Sequence, residues 1–96
     1  MLREQISTTM KEAMKAKDSV TVGTLRLIAA ALKDRDIAAR GTGNSDGISE
    51  DDILGLLQSM IKQRRDSIEM YNQGSRPELA EAEQVEIGII EQFLPQ

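Results

Sequence analysis

The pattern of apolar and polar positions predicts four α-helices. Apolar residues recur every three or four positions along most of the chain, and it has no runs of β-branched residues that would favour strands. We predict helices over residues 2–16, 19–40, 49–73 and 75–94. The connections within the first pair and within the second pair are short, which is typical of antiparallel neighbours. The predicted fold class is therefore all-α, a four-helix antiparallel bundle-like domain.

Capping residues and one loop mark where these helices begin and end. Ser49 followed three residues later by Asp52 resembles a capping box at the start of the third helix. Ser75 with Glu78 predicts a second capping box before the fourth helix. The segment Gly41–Gly47 reads GTGNSDG, and its three glycines predict a flexible loop between the two hairpins. A phosphate-binding loop is disfavoured because GxxxxGK[ST] is absent and no strand precedes the segment.

Apolar stripes at helical spacing identify the expected core. The predicted core residues are Ile6, Met10, Leu25, Ile28, Leu32, Leu57, Ile61, Ile68, Val85, Ile89 and Phe93. The fourth helix carries a second apolar line on another face, formed by Ala80, Ile87 and Leu94. A helix that is apolar on two faces needs two partners. We therefore predict that this second line docks a partner helix, a second copy or a further subdomain.

Composition removes most enzyme chemistry from consideration. The 96 residues, enough for one small domain, include no Cys and no His, which excludes disulfides, the usual zinc sites, cysteine nucleophiles and Ser-His triads. The only aromatic residues are Tyr71 and Phe93, too few for a base-stacking platform. We expect no catalytic residue, no cofactor and no metal ion. No apolar run reaches 18 residues and no signal stretch opens the chain, so we expect no membrane partner and a cytoplasmic location.

Charge is spread unevenly along the chain. The net charge is −4 at pH 7, which argues against nonspecific binding to nucleic acid. Residues 1–45 carry eight basic and five acidic side chains, whereas residues 66–96 carry one basic and seven acidic side chains. A local basic face in the first half is therefore compatible with the overall acidity.

A cluster of cations in the third helix is the main candidate for a functional site. The segment MIKQRRDSIEMY contains Lys62, Arg64 and Arg65 within one helical turn, and Arg64 lies on the apolar stripe. One interpretation is structural: Arg64 lays its stem along the core and pairs with Glu83 or Glu86 of the fourth helix. The other is a patch that contacts an anion or RNA phosphates. We favour the structural interpretation for Arg64.

Three segments carry a resemblance to a known family. They are TLRLIAAALKDRDI at residues 24–37, MIKQRRDSIEMY at residues 60–71 and GSRPELAEAEQVEIGIIEQFLPQ from Gly74 to Gln96. Together they resemble the GatB/YqeY family, specifically its YqeY-like proteins, in order and spacing over the whole chain. The resemblance implies that residues 1–96 form an all-helical N-terminal subdomain. In the family a second helical subdomain, similar to the tail of GatB, follows the segment that matches Phe93-Leu94-Pro95, and we expect it to be missing here.

The resemblance also implies a setting for the function. GatB is the B subunit of the tRNA-dependent amidotransferase, and the family is labelled as carbon–nitrogen ligases with glutamine as amido-N donor. The catalytic residues of that enzyme lie in other subunits and other parts of GatB, so none has a counterpart here. The first hypothesis is a noncatalytic module in tRNA-dependent amidation that binds tRNA or a synthetase complex. Its predicted RNA- or anion-binding residues are Lys62, Arg64, Arg65, Arg26 and Lys33.

Two other hypotheses belong to different functional classes. One is a protein-interaction or scaffold domain that docks a partner helix through Ala80, Ile87 and Leu94 of the fourth helix. The other is an enzyme, in which general acid–base work would fall to Asp, Glu, Lys or Tyr71. No nucleophile has a base at triad-like spacing, so the enzyme is the weakest of the three hypotheses.

Overall fold

The structure is a computed structural model that describes residues 1–95; Gln96, the last residue of the predicted domain, lies outside the described residues. It consists of α1 (Leu2–Lys15), α2 (Ser19–Gly41), α3 (Glu50–Gln73) and α4 (Pro77–Glu91). No strand occurs in the described part, so the all-α prediction is confirmed. The first three helices match their predicted bounds within one residue, but α4 is shorter than predicted at both ends.

The helices pair as two hairpins that meet along α2. α1 packs against α2, α3 packs against α4, and α2 also contacts both helices of the second hairpin. Ser49 caps α3 as predicted, because its hydroxyl accepts a hydrogen bond from the Asp52 backbone N–H at 3.1 Å. Asp18 caps α2 by accepting a hydrogen bond from the Thr21 backbone N–H at 3.2 Å.

The turn from α1 to α2 places a lysine in the left-handed region. Lys17 has φ +57°, and its N–H donates to the Met14 carbonyl at 3.2 Å. The N–H of Asp18 donates to the Ala13 carbonyl at 2.9 Å. This pair of bonds is the Schellman pattern that satisfies the last carbonyls of a helix, and it normally favours glycine at the left-handed position.

The turn from α3 to α4 repeats this geometry and contradicts the second capping box. Ser75 has φ +59° and bonds the Asn72 carbonyl, and the Arg76 N–H bonds the Tyr71 carbonyl at 2.7 Å. Ser75 therefore ends α3 instead of capping α4. The residue before α4 is Arg76, which makes no side-chain capping bond. The prediction failed because Ser75 is recruited by the preceding helix.

Most of the predicted core is confirmed, but α4 presents a different face from the one predicted. The buried apolar side chains are Leu2, Ile6, Ala13, Leu25, Ile28, Leu32, Ile53, Leu56, Leu57, Met60, Ile61, Ala80, Ile87, Ile90 and Phe93. Three further predicted residues, Met10, Ile68 and Ile89, are partly buried against this core. Val85, predicted as core, is 46% exposed.

The line on α4 predicted to dock a partner belongs to the core instead. Ala80 and Ile87 are buried, and Leu94 is half-buried against the core. The docking surface predicted on these three residues is therefore wrong. The helix α4 carries apolar residues on more than one of its faces, so its sequence pattern allowed two orientations. Packing against α3 selected the orientation that buries Ile87 and Ile90.

Candidate functional site

Arg64 joins the two helices of the second hairpin. Its Nε donates to Glu86 Oε1 at 2.9 Å, and a terminal nitrogen donates to the Met60 carbonyl at 3.0 Å. The side chain is only 12% exposed. The predicted pairing of Arg64 with a carboxylate of α4 is confirmed. Since the side chain is mostly buried and two of its nitrogens bond within the fold, Arg64 is poorly placed to contact RNA phosphates.

The other two cations of this turn face solvent. Lys62 forms an exposed ion pair with Asp66, one turn further along, at 3.3 Å. Such pairs on a helix surface contribute only about 0.3–0.5 kcal/mol, so Asp66 does not hold Lys62 firmly. Arg65 is also exposed. The surface part of the predicted cluster thus comprises two cations, with a carboxylate beside one of them.

Arg26 and Lys33 lie on α2, in the other hairpin. They are seven residues apart, and Arg40 follows after another seven, so the three cations share one face of the helix. All three are exposed. The predicted RNA-contacting set is therefore divided between the two hairpins. The sequence contains this seven-residue repeat, but Arg35 lies between Lys33 and Arg40 on a different face and makes the repeat harder to recognise.

This face of α2 borders a groove between α1 and α2, which we call the basic groove. It has a volume of about 590 Å³. Its apolar floor and walls are formed by Ile6, Met10, Met14, Ala29, Leu32 and Ile37. Its rim carries the cations Arg3, Lys11, Lys33 and Arg40, and Asp36 is the one carboxylate among its lining residues.

Asp36 is neutralised by a two-pronged pair with Arg3. The two terminal nitrogens of Arg3 donate to the two carboxylate oxygens of Asp36 at 2.7 and 2.8 Å. Asp36 also accepts a hydrogen bond from the Ile48 backbone N–H at 2.9 Å. The Arg3 hydrogen bond, reinforced by that of Ile48, lowers the pKa of Asp36 to about 2. We call Arg3, Asp36 and Ile48 the clasp, since Arg3 also donates to the Ile48 carbonyl at 3.0 Å.

The clasp holds the end of the inter-hairpin loop against the groove. Gly47 packs so closely that an added Cβ would lie 2.5 Å from Asp36 Oδ1, and its φ of +86° also favours glycine. The Asn44 side-chain amide donates to the Gly47 carbonyl at 2.8 Å. The predicted loop is thus pinned at its C-terminal end, although its flexibility stays a prediction.

The basic groove combines an apolar floor with a cationic rim, which are contacts suited to binding another molecule. Within residues 1–95, no group of three or more Asp, Glu, His or Cys is placed to hold a metal ion. In the same range, no helix combines the length and apolar character that crossing a bilayer requires. The acidic start of α3 is used structurally: Glu50 accepts a hydrogen bond from the Leu2 N–H at 2.6 Å.

Comparison with known proteins identifies relatives for nearly the whole chain. The family model described as Yqey-like protein matches residues 3–96. A relative in Lachancea thermotolerans, named altered inheritance of mitochondria protein 41, mitochondrial, is 36% identical over 87 residues, which cover 91% of this chain and 44% of the relative. Proteins of the same name from Vanderwaltozyma polyspora and Saccharomyces cerevisiae are 33% and 31% identical, over 88% and 91% of this chain and 44% and 45% of the relatives.

These relatives correct one prediction and leave another open. They are named as mitochondrial proteins, so the names point to mitochondria, and the predicted cytoplasmic location is contradicted. Their names do not refer to tRNA or amidation, and that role stays a prediction. The chain spans less than half the length of these relatives.

Proposed function

This chain belongs to the YqeY-like protein family, and we propose that it is a noncatalytic protein-interaction domain that docks a partner helix in the basic groove. The observation that carries the proposal is exposed apolar surface inside a concave site. Met14 is 54% and Ile37 53% exposed, and both line the groove. A hydrophobic groove between two helices is the geometry that binds the apolar face of a third helix.

The composition of the groove favours a protein segment over RNA. No aromatic ring is among the groove's lining residues, whereas single-stranded RNA is commonly held by stacking of its bases on aromatic side chains. The apolar floor offers nothing to a phosphate backbone. A helix with an apolar stripe would cover Met14 and Ile37 and leave the cations of the rim in solvent or paired.

The methionines provide probes to test this proposal. Met10 and Met14 line the groove, Met60 is in the core, and Met70 is exposed on α3. We would label the methionine methyl groups with ¹³C and titrate the domain with a neutral amphipathic helical peptide built from Leu, Ala and Gln. The expected result is a shift of the Met10 and Met14 signals with Met70 unchanged. Equal responses at Met70, or no response at Met10 and Met14, would contradict groove docking.

A matched pair of variants locates the binding surface independently. Ile37→Ser removes apolar contact area inside the groove, and Leu27→Ser removes a similar side chain outside it. Both residues lie on α2 and are about half exposed, at 53% and 50%, so neither change should unfold the domain. We expect weaker peptide binding for Ile37→Ser and unchanged binding for Leu27→Ser.

A second candidate function is binding of tRNA, in the setting of tRNA-dependent amidation that the family resemblance implies. Lys62 and Arg65 favour it, because both are exposed on α3 and are not used by the core. The test is fluorescence anisotropy of tRNA at low and physiological salt, with a Lys62→Glu, Arg65→Glu variant beside the parent domain. Salt-sensitive binding that the variant loses would support this function. Absence of binding at low salt would rule it out for these residues.

A further inference from the structure

We propose that the helix docked by the basic groove is acidic, with carboxylates flanking an apolar stripe. This inference rests on the proposed function and names the chemistry of its partner. The groove supplies two kinds of contact at once, an apolar floor and a cationic rim. An acidic amphipathic helix matches both, whereas a purely apolar helix would leave the rim unpaired.

The rim has cations that the domain itself does not neutralise. Arg3 is paired with Asp36. Among residues 1–95, no carboxylate lies within ion-pair distance of Lys11, Lys33 or Arg40. These three side chains therefore give the groove its positive charge, and each can form an ion pair with a bound ligand.

The net charge of the groove is opposite in sign to that of the rest of the molecule. The groove lining carries four cations and one carboxylate, a net charge of +3, in a chain whose total is −4. All other residues together therefore carry −7. An acidic helix is attracted to the groove and repelled by the net charge of the other residues, so charge favours this site over the rest of the molecule taken together.

The spacing of the cations suggests a register for the partner. Lys33 and Arg40 are seven residues apart on α2, which corresponds to about 10.5 Å along the helix axis. A docked helix aligned with α2 would meet both cations with carboxylates at positions i and i+7 of one flank. Lys11, on α1, lies on the α1 side of the groove and would meet a carboxylate on the opposite flank.

Three peptides with the same apolar stripe test the inference directly. Their flanking positions carry Glu, Gln or Lys, and their affinities are measured by fluorescence anisotropy at low and physiological salt. Three exposed ion pairs should make the Glu peptide bind about tenfold more tightly than the Gln peptide at low salt. The difference should shrink with added salt, and the Lys peptide should bind most weakly.

Charge reversal on the rim provides the matched control. Lys33→Glu with Arg40→Glu should abolish the preference for the Glu peptide and favour the Lys peptide instead. Arg35→Glu with Arg65→Glu changes the net charge equally at exposed positions outside the groove and should preserve the preference. Folding of both variants is checked by circular dichroism, and the reversed preference itself shows that the rim variant is folded.

The possible outcomes separate this inference from the proposed function. Equal affinities for the Glu and Gln peptides, with Met10 and Met14 still responding, would overturn the acidic partner and leave helix docking intact. No peptide response at Met10 and Met14 would overturn both. Displacement of the Glu peptide by tRNA, lost in Lys33→Glu with Arg40→Glu, would assign the groove to nucleic acid. Self-association lost in the same variant would assign it to a second copy. Either result would overturn the acidic partner.

Discussion

The two hairpins share one turn geometry and differ in how they use the surface between their helices. The second hairpin is closed: Ile87 and Ile90 of α4 are fully buried, and the Arg64–Glu86 pair links its two helices from within. The first hairpin is open on one side, where Met14 and Ile37 remain half exposed in the basic groove. Its strongest pair, Arg3–Asp36, ties the helices to the following loop. Both hairpins contribute fully buried residues to the core, such as Leu25 and Ile28 in the first, but only the first contains the basic groove, where the proposed function needs apolar surface to stay exposed.

The largest expected effect comes from placing a charge at one isoleucine in each hairpin. Ile87→Asp puts a carboxylate in the core, and we expect a loss of about 4 kcal/mol or more in the free energy of unfolding. Ile37→Asp, in the open groove, should change it by about 0.5 kcal/mol at most. Urea denaturation measures both. Similar losses for the two variants would show that Ile37 is part of the core and that the first hairpin is not open at the groove.

The next effect concerns the two arginine pairs. Arg64→Ala removes a largely buried side chain and leaves the partly buried Glu86 without its partner, and we expect a loss of about 2–3 kcal/mol. Arg3→Ala should cost less, about 1–2 kcal/mol, because Arg3 is more exposed than Arg64 and because Asp36, although well buried, keeps its hydrogen bond from the Ile48 N–H. Lys62→Ala, which removes only a surface ion pair, is the control and should lie within about 0.5 kcal/mol of the parent. A larger loss in the free energy of unfolding for Arg3→Ala than for Arg64→Ala would contradict this order.

A smaller effect separates the hairpins by pH. The folded-state pKa of Asp36 is about 2, below its ordinary value of 3.8, so the clasp stabilises the fold fully above pH 4. This contribution, about 1–2 kcal/mol after allowance for solvent, disappears as the pH falls from about 4 to 2. Asp36→Asn should therefore reduce that part of the acid sensitivity. Asp34→Asn, at an exposed carboxylate of the same helix, serves as control, and thermal denaturation across the pH range measures both.

The smallest effect tests what the hairpins have in common. Lys17 and Ser75 occupy left-handed positions that glycine adopts without strain. Lys17→Gly and Ser75→Gly should each raise the free energy of unfolding by about 0.5–1 kcal/mol, and by similar amounts. Calorimetry would detect the corresponding rise in melting temperature. A gain in only one variant would mean that the two turns are not energetically equivalent.

The features predicted correctly are those with local signals. Three helices followed from apolar spacing and from caps such as Ser49, and the pairing of Arg64 with a carboxylate of α4, predicted as Glu83 or Glu86, followed from its place on an apolar stripe. The orientation of α4 could not be predicted from its sequence, because the helix has apolar residues on more than one face. Only packing against the rest of the fold leaves Val85 exposed and buries Ile87. The second capping box failed because Ser75 had two possible roles, and its position after α3 decided between them.

The basic groove was the harder feature to predict. Arg3 and Asp36 are separated by 33 residues, and nothing in the sequence marks them as partners. The close approach of Gly47 to Asp36 is likewise a tertiary contact. Part of its rim has a local signal, because Lys33 and Arg40, together with Arg26 outside the groove, repeat every seven residues on α2. That spacing indicates a cationic face on the first hairpin rather than on α3.

The position of the clasp also determines where this chain tolerates a change in length. Its contacts use the last residues of the inter-hairpin loop, whereas Ser45 at the exposed tip makes none of the hydrogen bonds that hold the loop. Extra residues inserted after Ser45 would separate Asn44 from Asp46 and Gly47 and lose the hydrogen bonds between them, but would leave the clasp in place, and loop lengthening carries only a small entropic cost. Insertion between Gly47 and Ile48 would instead pull the Ile48 backbone away from Asp36. A short epitope after Ser45 could therefore report on the domain without disturbing either hairpin.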